Sequence, residues 1–340
     1  MITIRTVVVR CSSVRYPLTT FSFLLAPFSF LSSTFVRTKK HTTMIKSFSA
    51  LIAHLSEARN PKRLVVVYPH DEHSMEAVFM ALREGWVKLL LVGDKSKMPL
   101  PADWEWYADS IEFEYAADAM EAARLSVKAV REGRANAMMK ALVNTDVLLR
   151  AILNKEEGIL PKGRVMSHIA VMEVPKLERF LLISDAAVLP YPTEEQRAAQ
   201  IGYITEMCRR LQIETPRIAM LHCTENASEK FPHSMTYAPL IARAEQGEWG
   251  NLLLDGPLDL RCALDKEALE IKGIKSCLEG EADALLFPDI VGANAFYKTM
   301  PFFANAEIAG VLQGTDCPVV LSSRGDSVMT KYYSIAVALA

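Results

Sequence analysis

The chain has 340 residues, half of them hydrophobic and 23% charged, with 38 Lys+Arg against 40 Asp+Glu for a net charge of −2. That composition excludes a disordered or fibrous protein and supplies no basic domain for nucleic acid, while the length exceeds a comfortable single core and suggests two domains. Residues 1–43 differ from the rest: six Lys+Arg, no Asp or Glu, and many Ser, Thr and Phe, so that without them the net charge would be −8. The uncharged stretch 18–36 suits a signal-peptide core or a marginal membrane span, and the acid-free Arg/Ser bias suits a transit peptide. The plainer expectation is that Met44 is the true start and that residues 1–43 are a leader outside the fold.

Met44 opens an amphipathic helix to about Arg59. Beyond it, strands are predicted at 64–68, 89–92, 136–140, 180–184, 217–221, 252–255, 284–287 and 318–321. Helical patterns at 72–85, 116–132, 146–154, 194–211, 239–246 and 265–277 lie between them. Repeated β-then-α alternation predicts parallel sheets covered by helices, with ligands collecting beyond the carboxyl ends of the strands.

Several familiar chemistries are missing. There is no Gly-x-Gly-x-x-Gly after the first strand, no Walker A loop and no Gly-x-Ser-x-Gly elbow. The histidines include one close pair, His70 and His73, but no His-Glu-x-x-His run, so no metal is expected. The six cysteines are widely spaced without a Cys-x-x-Cys pair, which reads as reduced thiols in a cytoplasmic protein.

What remains is a set of polar clusters at strand ends, each with two readings. Lys140 ends an apolar run where an unpartnered ammonium is costly, so it contacts an anion or serves a structural pair. Ser167 and His168 orient a substrate, or the histidine bonds backbone. Ser184-Asp185 and Pro288-Asp289 follow strands in the same way. Asp255-Gly256-Pro257 contacts a ligand or simply makes a turn. Asn294 with Tyr297-Lys298 offers polar contacts from a helix, or a cap and a solvated lysine. The run Ser322-Ser323-Arg324-Gly325-Asp326-Ser327 leads from an apolar strand into the C-terminal helix. Backbone N–H groups, a helix N-terminus and a guanidinium there outline an anion site. Alternatively Ser327 or Asp326 caps the helix and Arg324 lies in solvent.

The run SSRGDSVMTKYYSIAVALA resembles the C-terminal signature of the phosphate acetyltransferase and phosphate butyryltransferase family, and is closest to the butyryl branch. MMKALVNTDVLLRAIL, SHIAVMEVP, SDAAVLPYPTEEQ, DGPLDLRCAL, PDIVGANAFYK and AGVLQGTDCPVVLSSRGDS resemble its other motifs in order and spacing. The resemblance covers roughly residues 44–340. It implies an α/β fold of the isocitrate/isopropylmalate-dehydrogenase-like class, with two parallel-sheet domains, 44–172 plus 313–340 and 173–312, and the site in the cleft between them. It implies a homodimer that moves a short acyl group between coenzyme A and phosphate, with coenzyme A as substrate and no metal, cofactor, nucleic acid or membrane required. Matched by motif, Arg324 binds phosphate and Ser323 donates to the reacting group. Asp326 substitutes for a carboxylate that the acetyl branch carries six residues beyond its arginine, where this chain has Thr330. Lys140, Ser167, His168, Asp185, Asp255, Asn294 and Lys298 fall in substrate-binding motifs.

The chain departs from the family pattern at several points: Ala141 for Gly, Leu189 for Asn, Arg261 for Asp, and Gly292-Ala293-Asn294 for Ala-Gly-Asn. The Ala293 β-carbon is expected to alter backbone approach to the ligand, and Arg261 to reverse a charge near the cleft. These departures keep two alternatives in view: a phosphate acetyltransferase, or a weakened homologue that binds acyl-CoA or acyl phosphate.

Overall fold

A computed structural model describes residues 44–321 and 325–340. It opens with α1 (Phe48–Glu57), which Ser47 caps by accepting from Ala50 N and which buries Phe48 and Leu51. There follow β1 (Lys62–Val67), α2 (Glu72–Arg83), β2 (Val87–Val92), β3 (Ile111–Glu114), α3 (Ala119–Arg131), β4 (Ala137–Lys140) and α4 (Thr145–Ile152). The middle comprises β5 (Ser167–Glu173), β6 (Phe180–Ser184), α5 (Glu194–Arg210), β7 (Arg217–Leu221), α6 (Tyr237–Glu245), β8 (Leu253–Leu258), α7 (Leu260–Leu264) and α8 (Lys266–Lys272). Last come β9 (Ala284–Leu286), α9 (Ile290–Ala304), β10 (Glu307–Gln313), β11 (Val319–Val320) and α10 (Val328–Leu339). Side-chain caps start most of the longer helices. Asp71, Asp118 and Asp289 accept from first-turn N–H groups, and Thr193 forms a reciprocal capping box with Gln196.

All eleven strands form one sheet, in the order β3-β2-β1-β4-β11-β10-β5-β6-β9-β7-β8. The α/β class agrees with the alternation in the sequence, but the sheet is mostly rather than wholly parallel. β3, β2, β1, β4 and β11 run parallel, as do β6, β9, β7 and β8. Between these blocks, β10 is antiparallel to β11 and to β5, and β5 is antiparallel to β6. The connections explain this. Residues 174–179 and 314–318 are too few for a parallel crossover and allow only a reversal. Consequently the carboxyl ends of the two parallel blocks face opposite edges of the sheet.

Residues 44–340 make one compact unit, and the sheet runs through both expected domain boundaries, which fall inside β5 and at the end of β10. On one face the core is continuous: Leu64, Leu89, Met139, Ile169, Val311, Leu182, Ile218 and Leu286 share one cluster across both blocks. On the other face it is split. Val65, Leu90, Met138, Val319 and Leu312 belong to one cluster, and Ala170, Met172, Ile183, Ala219, Leu285 and Ile308 to another. Strand residues alternate faces, so His168 and Gly310 lie on this second face, in the seam between the clusters.

Candidate active site

The seam is where the polar residues gather. His168 is buried at 4% exposure, with its imidazole edge-on to Tyr297 at 5.9 Å between ring centres. It fits because its neighbour on β10 is a glycine: a Cβ at Gly310 would lie 2.7 Å from His168 Nε2. His168 Nδ1 is buried without a hydrogen-bond partner among the described residues. Burial holds this imidazole below its usual pKa; Asp185 and Asp326 pull it upward and Lys298 pushes it further down. Tyr297 is likewise raised by burial, with the Asp326 charge adding. His168, Tyr297, Lys298 and Asp326 therefore share one electrostatic neighbourhood, although β5, α9 and the α10 entry are far apart in sequence.

α9 supplies one side of it. Asn294, Tyr297 and Lys298 stand at i, i+3 and i+4 on one helix face, and the Lys298 ammonium lies over the Tyr297 ring at 4.9 Å. Asn294 Nδ2 donates to Ala186 O at 2.9 Å, tying α9 to the turn after β6. Beneath, Arg197 of α5 is 1% exposed and donates to Phe287 O at 3.1 Å and Pro288 O at 2.5 Å, so it fixes the turn that launches α9. Its charge also faces the Tyr237 ring, and burial lowers its pKa.

Asp185 organises rather than reaches outward. Its carboxylate accepts from Ser167 Oγ, His168 N, Ala187 N, Val188 N and Leu189 N at 2.8–3.3 Å, which fills its roughly four lone-pair sites. Ser167 points to the opposite face from His168, as adjacent strand residues must, and meets Ser184 and Gln200 there. Lys140 ends β4 on the seam face at 5% exposure, with Nζ directed to Ala141 O at 3.4 Å. Asp255 is not brought to the seam. It sits on the edge strand β8, accepting from Ser276 Oγ at 2.7 Å and from Gly256 N at 2.8 Å, which is turn chemistry.

Ser323 and Arg324 lie outside the described residues. On their far side, Ser327 takes the cap: its Oγ accepts from Thr330 N at 3.1 Å. Of the two capping alternatives, Ser327 is the one the structure takes, and the Asp326 charge bears on His168 and Tyr297. Lys331, 3% exposed, directs Nζ to Asp326 O at 3.4 Å. Sequence reasoning passed over Lys331, Arg197 and Gly310. The lysine's one signal is a cation inside the otherwise apolar C-terminal helix.

Three of the departures from the family pattern can be placed in the fold. Ala293 is wholly buried in the second-block core, one turn before Tyr297 on α9. Arg261 is largely exposed and pairs with Asp265 at 2.9 Å one turn along. Ala141 is buried in the continuous core. Among the described residues, Glu225, Asp259 and Cys262 bring donor atoms together, but Lys272 already bridges both carboxylates.

The fold is shared with a branched-chain phosphotransacylase from Enterococcus faecalis V583, with a TM-score of 0.72 at 26% identity over 82% of this chain and 97% of that one. By class the protein is an acyltransferase, a phosphotransacylase. The model of the family described as "Phosphate acetyl/butaryl transferase" matches residues 105–339. A phosphate butyryltransferase of Clostridium acetobutylicum is 35% identical over 296 residues, covering 87% of this chain and 98% of that protein. A phosphate acetyltransferase of Thermotoga maritima is 35% identical over 280 residues, covering 82% and 94%. The chain belongs to the phosphate acetyltransferase and butyryltransferase family.

Proposed function

We propose that the protein catalyses the reversible reaction of an acyl-CoA with phosphate to give coenzyme A and an acyl phosphate, with butyryl or a similar short acyl group. The observation that carries this reading, beside family membership, is the convergence of His168, Tyr297, Lys298 and Asp326 at the seam. The reaction demands that phosphate be fixed near a carbonyl, that the tetrahedral oxyanion be stabilised, and that a proton be held or released at the thiol. Arg324 is assigned to the phosphate as a bidentate partner, Ser323 to donation toward the carbonyl, and Lys298 and Lys140 to the anionic charge. Asp326, whose charge bears on the seam histidine, is the candidate base, beside an imidazole whose pKa burial lowers.

The split core on the second face supports two lobes meeting near 172 and 312, with the seam as the cleft, on a sheet and first-face core that they share. The same reading makes the working enzyme a homodimer in the cytoplasm that needs no metal or redox cofactor. No helix among the described residues is long and apolar enough to cross a membrane. An acetyl specificity is the second reading, favoured by the equal 35% identity to the Thermotoga protein. A binder without turnover is the third reading, and the paired Arg261 gives it no support at the seam. The deciding measurement is release of free thiol from acetyl-, propionyl-, butyryl- and isobutyryl-CoA with and without phosphate. The expected result is phosphate-dependent release, fastest with a four-carbon acyl group. Tight acyl-CoA binding without release would overturn the proposal.

A further inference from the structure

The fold unites two histidines that the sequence holds 11 residues apart. β7 ends at Leu221 and is followed at once by His222 and Cys223. The chain then loops out and returns through a 3-10 turn, Pro232–Thr236, carrying His233. Both ends are anchored. His222 N donates to Leu258 O at 2.8 Å, and the buried Tyr237 hydroxyl donates to Leu221 O at 2.8 Å. Ser234 ties the loop to the turn, accepting from Ser228 N at 3.0 Å and donating to Phe231 O at 2.8 Å. As a result His222 Nδ1 and His233 Nε2 stand 3.2 Å apart, with ring centres 5.0 Å apart and ring planes at 75°.

Those two distances fit nitrogens aimed at a shared point better than nitrogens aimed at each other. Imidazole nitrogens bind zinc-class ions at about 2.0–2.1 Å. Two such nitrogens at the observed 3.2 Å subtend roughly 100° at the ion, near the tetrahedral value, and their ring centres then fall about 5 Å apart. A straight N–H···N hydrogen bond of the same length would set the centres about 5.5 Å apart. Cys223 Sγ lies 3.9 Å from both nitrogens of His222. It is a free, exposed thiol whose sulfur stands off the histidine pair in this structure, so its ligation requires the side chain to rotate toward them.

We propose that His222, His233 and Cys223 bind one transition-metal dication of the zinc class, with water completing the tetrahedron. Burial lowers both imidazoles below their usual pKa, so both offer lone pairs at neutral pH. The charges bearing on the pair are mixed. Arg197 opposes a cation near His233, whereas Asp289 and Glu225 favour one. Rules of ligand spacing along the chain pass over this site because a loop, not a helix or a tight knuckle, brings the ligands together. None of the three belongs to the seam, yet Asp289 caps the helix that carries Asn294, Tyr297 and Lys298. An occupied site therefore clamps the 222–237 segment to the end of β7, next to the launch point of α9.

The test is titration of the full chain, stripped with a chelator, with Co2+ and then Zn2+. The expected outcome is one saturable Co2+ per chain with a dissociation constant on the order of micromolar, a thiolate-to-cobalt charge-transfer band, and displacement by Zn2+. Saturation should raise the melting temperature by a few degrees, because only the folded chain holds the ligands together. His233→Asn should weaken binding at least tenfold, and Cys223→Ser should abolish the charge-transfer band. Thiol release by the metal-free variants verifies that they are folded. Absence of saturable binding below about 100 μM, or a band that persists in Cys223→Ser, overturns the proposal. So does unchanged affinity in both His233→Asn and His222→Gln. Because Cys223 is exposed, its variant remains informative even if a histidine variant fails to fold.

Discussion

The two faces of the sheet are built for different ends. On one, apolar residues from both parallel blocks join α1, α2, α5 and α10 in a single core, and its ionisable residues at β5 and β10 are Glu173 and Glu307 at the strand ends. On the other, the same strands present His168 and Gly310 where Ile169 and Val311 fill the first face, and the core divides there. A packed face stabilises through close contact, whereas a seam leaves room for polar groups whose desolvated fields can act on a ligand. Substitutions on the first face should accordingly cost stability, and substitutions at the seam should cost turnover.

The largest effect is expected on the packed face. Phe48 is fully buried, stacked on Tyr333 at 4.2 Å with planes 8° apart and packed on Phe180 at 4.9 Å. Phe48→Ala should destabilise the fold by about 3–5 kcal/mol in chemical denaturation, with turnover per folded molecule unchanged. A normal denaturation midpoint would deny that α1 belongs to the shared core.

Arg324→Ala is the complementary change. Loss of a charge-assisted, bidentate phosphate contact should reduce kcat/KM by about 2–4 kcal/mol, roughly 30- to 1000-fold, with little change in stability. Arg324→Lys should recover only part of the activity, since the ammonium lacks the planar fork. Ser327→Ala should do the reverse, costing about 1 kcal/mol of stability through the lost cap to Thr330 N. Near-normal turnover of Arg324→Ala at saturating phosphate would remove the strongest assignment at the site.

Much of this was legible in advance. The parallel blocks, the helices between them and the ordered motifs could be read from periodicity and resemblance, and the charges of Lys298 and Asp326 do bear on His168. β5, β10 and β3 were missed. The first two are short apolar runs whose antiparallel pairing depends on connection length, and β3 is a half-buried edge strand with little contrast between its faces. Ser167 and His168 looked like one cluster because adjacency in sequence says nothing about which face of a strand each residue takes. Arg197 could not be read at all, since its partners are two backbone carbonyls ninety residues away.

Gly310→Ala sharpens the contrast at one atom. The added methyl would lie 2.7 Å from His168 Nε2, forcing a buried ring to shift against Tyr297. A stability loss of about 1–3 kcal/mol together with reduced turnover is expected. The mirror substitution Ala309→Gly, on the continuous face, should cost stability alone. If both variants lost only stability, the seam would be ordinary core.

The pH dependence of stability is a gentler probe. His70, His168, His222 and His233 all have folded-state pKa values lowered by burial. The unfolded chain therefore takes up protons first, below about pH 6.5. Stability from these groups is complete above that value and is lost as pH falls through the lower folded-state values. His168→Gln should flatten part of the acid-side decline in a series of urea midpoints, and an unchanged slope would show that the seam histidine is not the buried neutral group described.

The smallest expected effect is the removal of residues 1–43. Among the described residues the packed face begins at Met44: Ile45 N donates to Leu211 O at 3.1 Å, Ile45 is buried, and Phe48 and Leu51 of α1 enter the continuous core. A chain starting at Met44 retains every one of these contacts and loses six cations and no carboxylate, so its net charge changes from −2 to −8. Added negative charge of that size acts through long-range repulsion, which physiological salt screens beyond about 8 Å. The melting temperature should therefore stay within about a degree of the full chain's, and kcat/KM should be the same at moderate ionic strength. A chain starting at Pro61 loses α1, Phe48 and Leu51 with it, and should fail to fold cooperatively. If the Met44 chain behaved like the Pro61 chain, the fold would need residues 1–43, and the continuous face would not be complete at Met44.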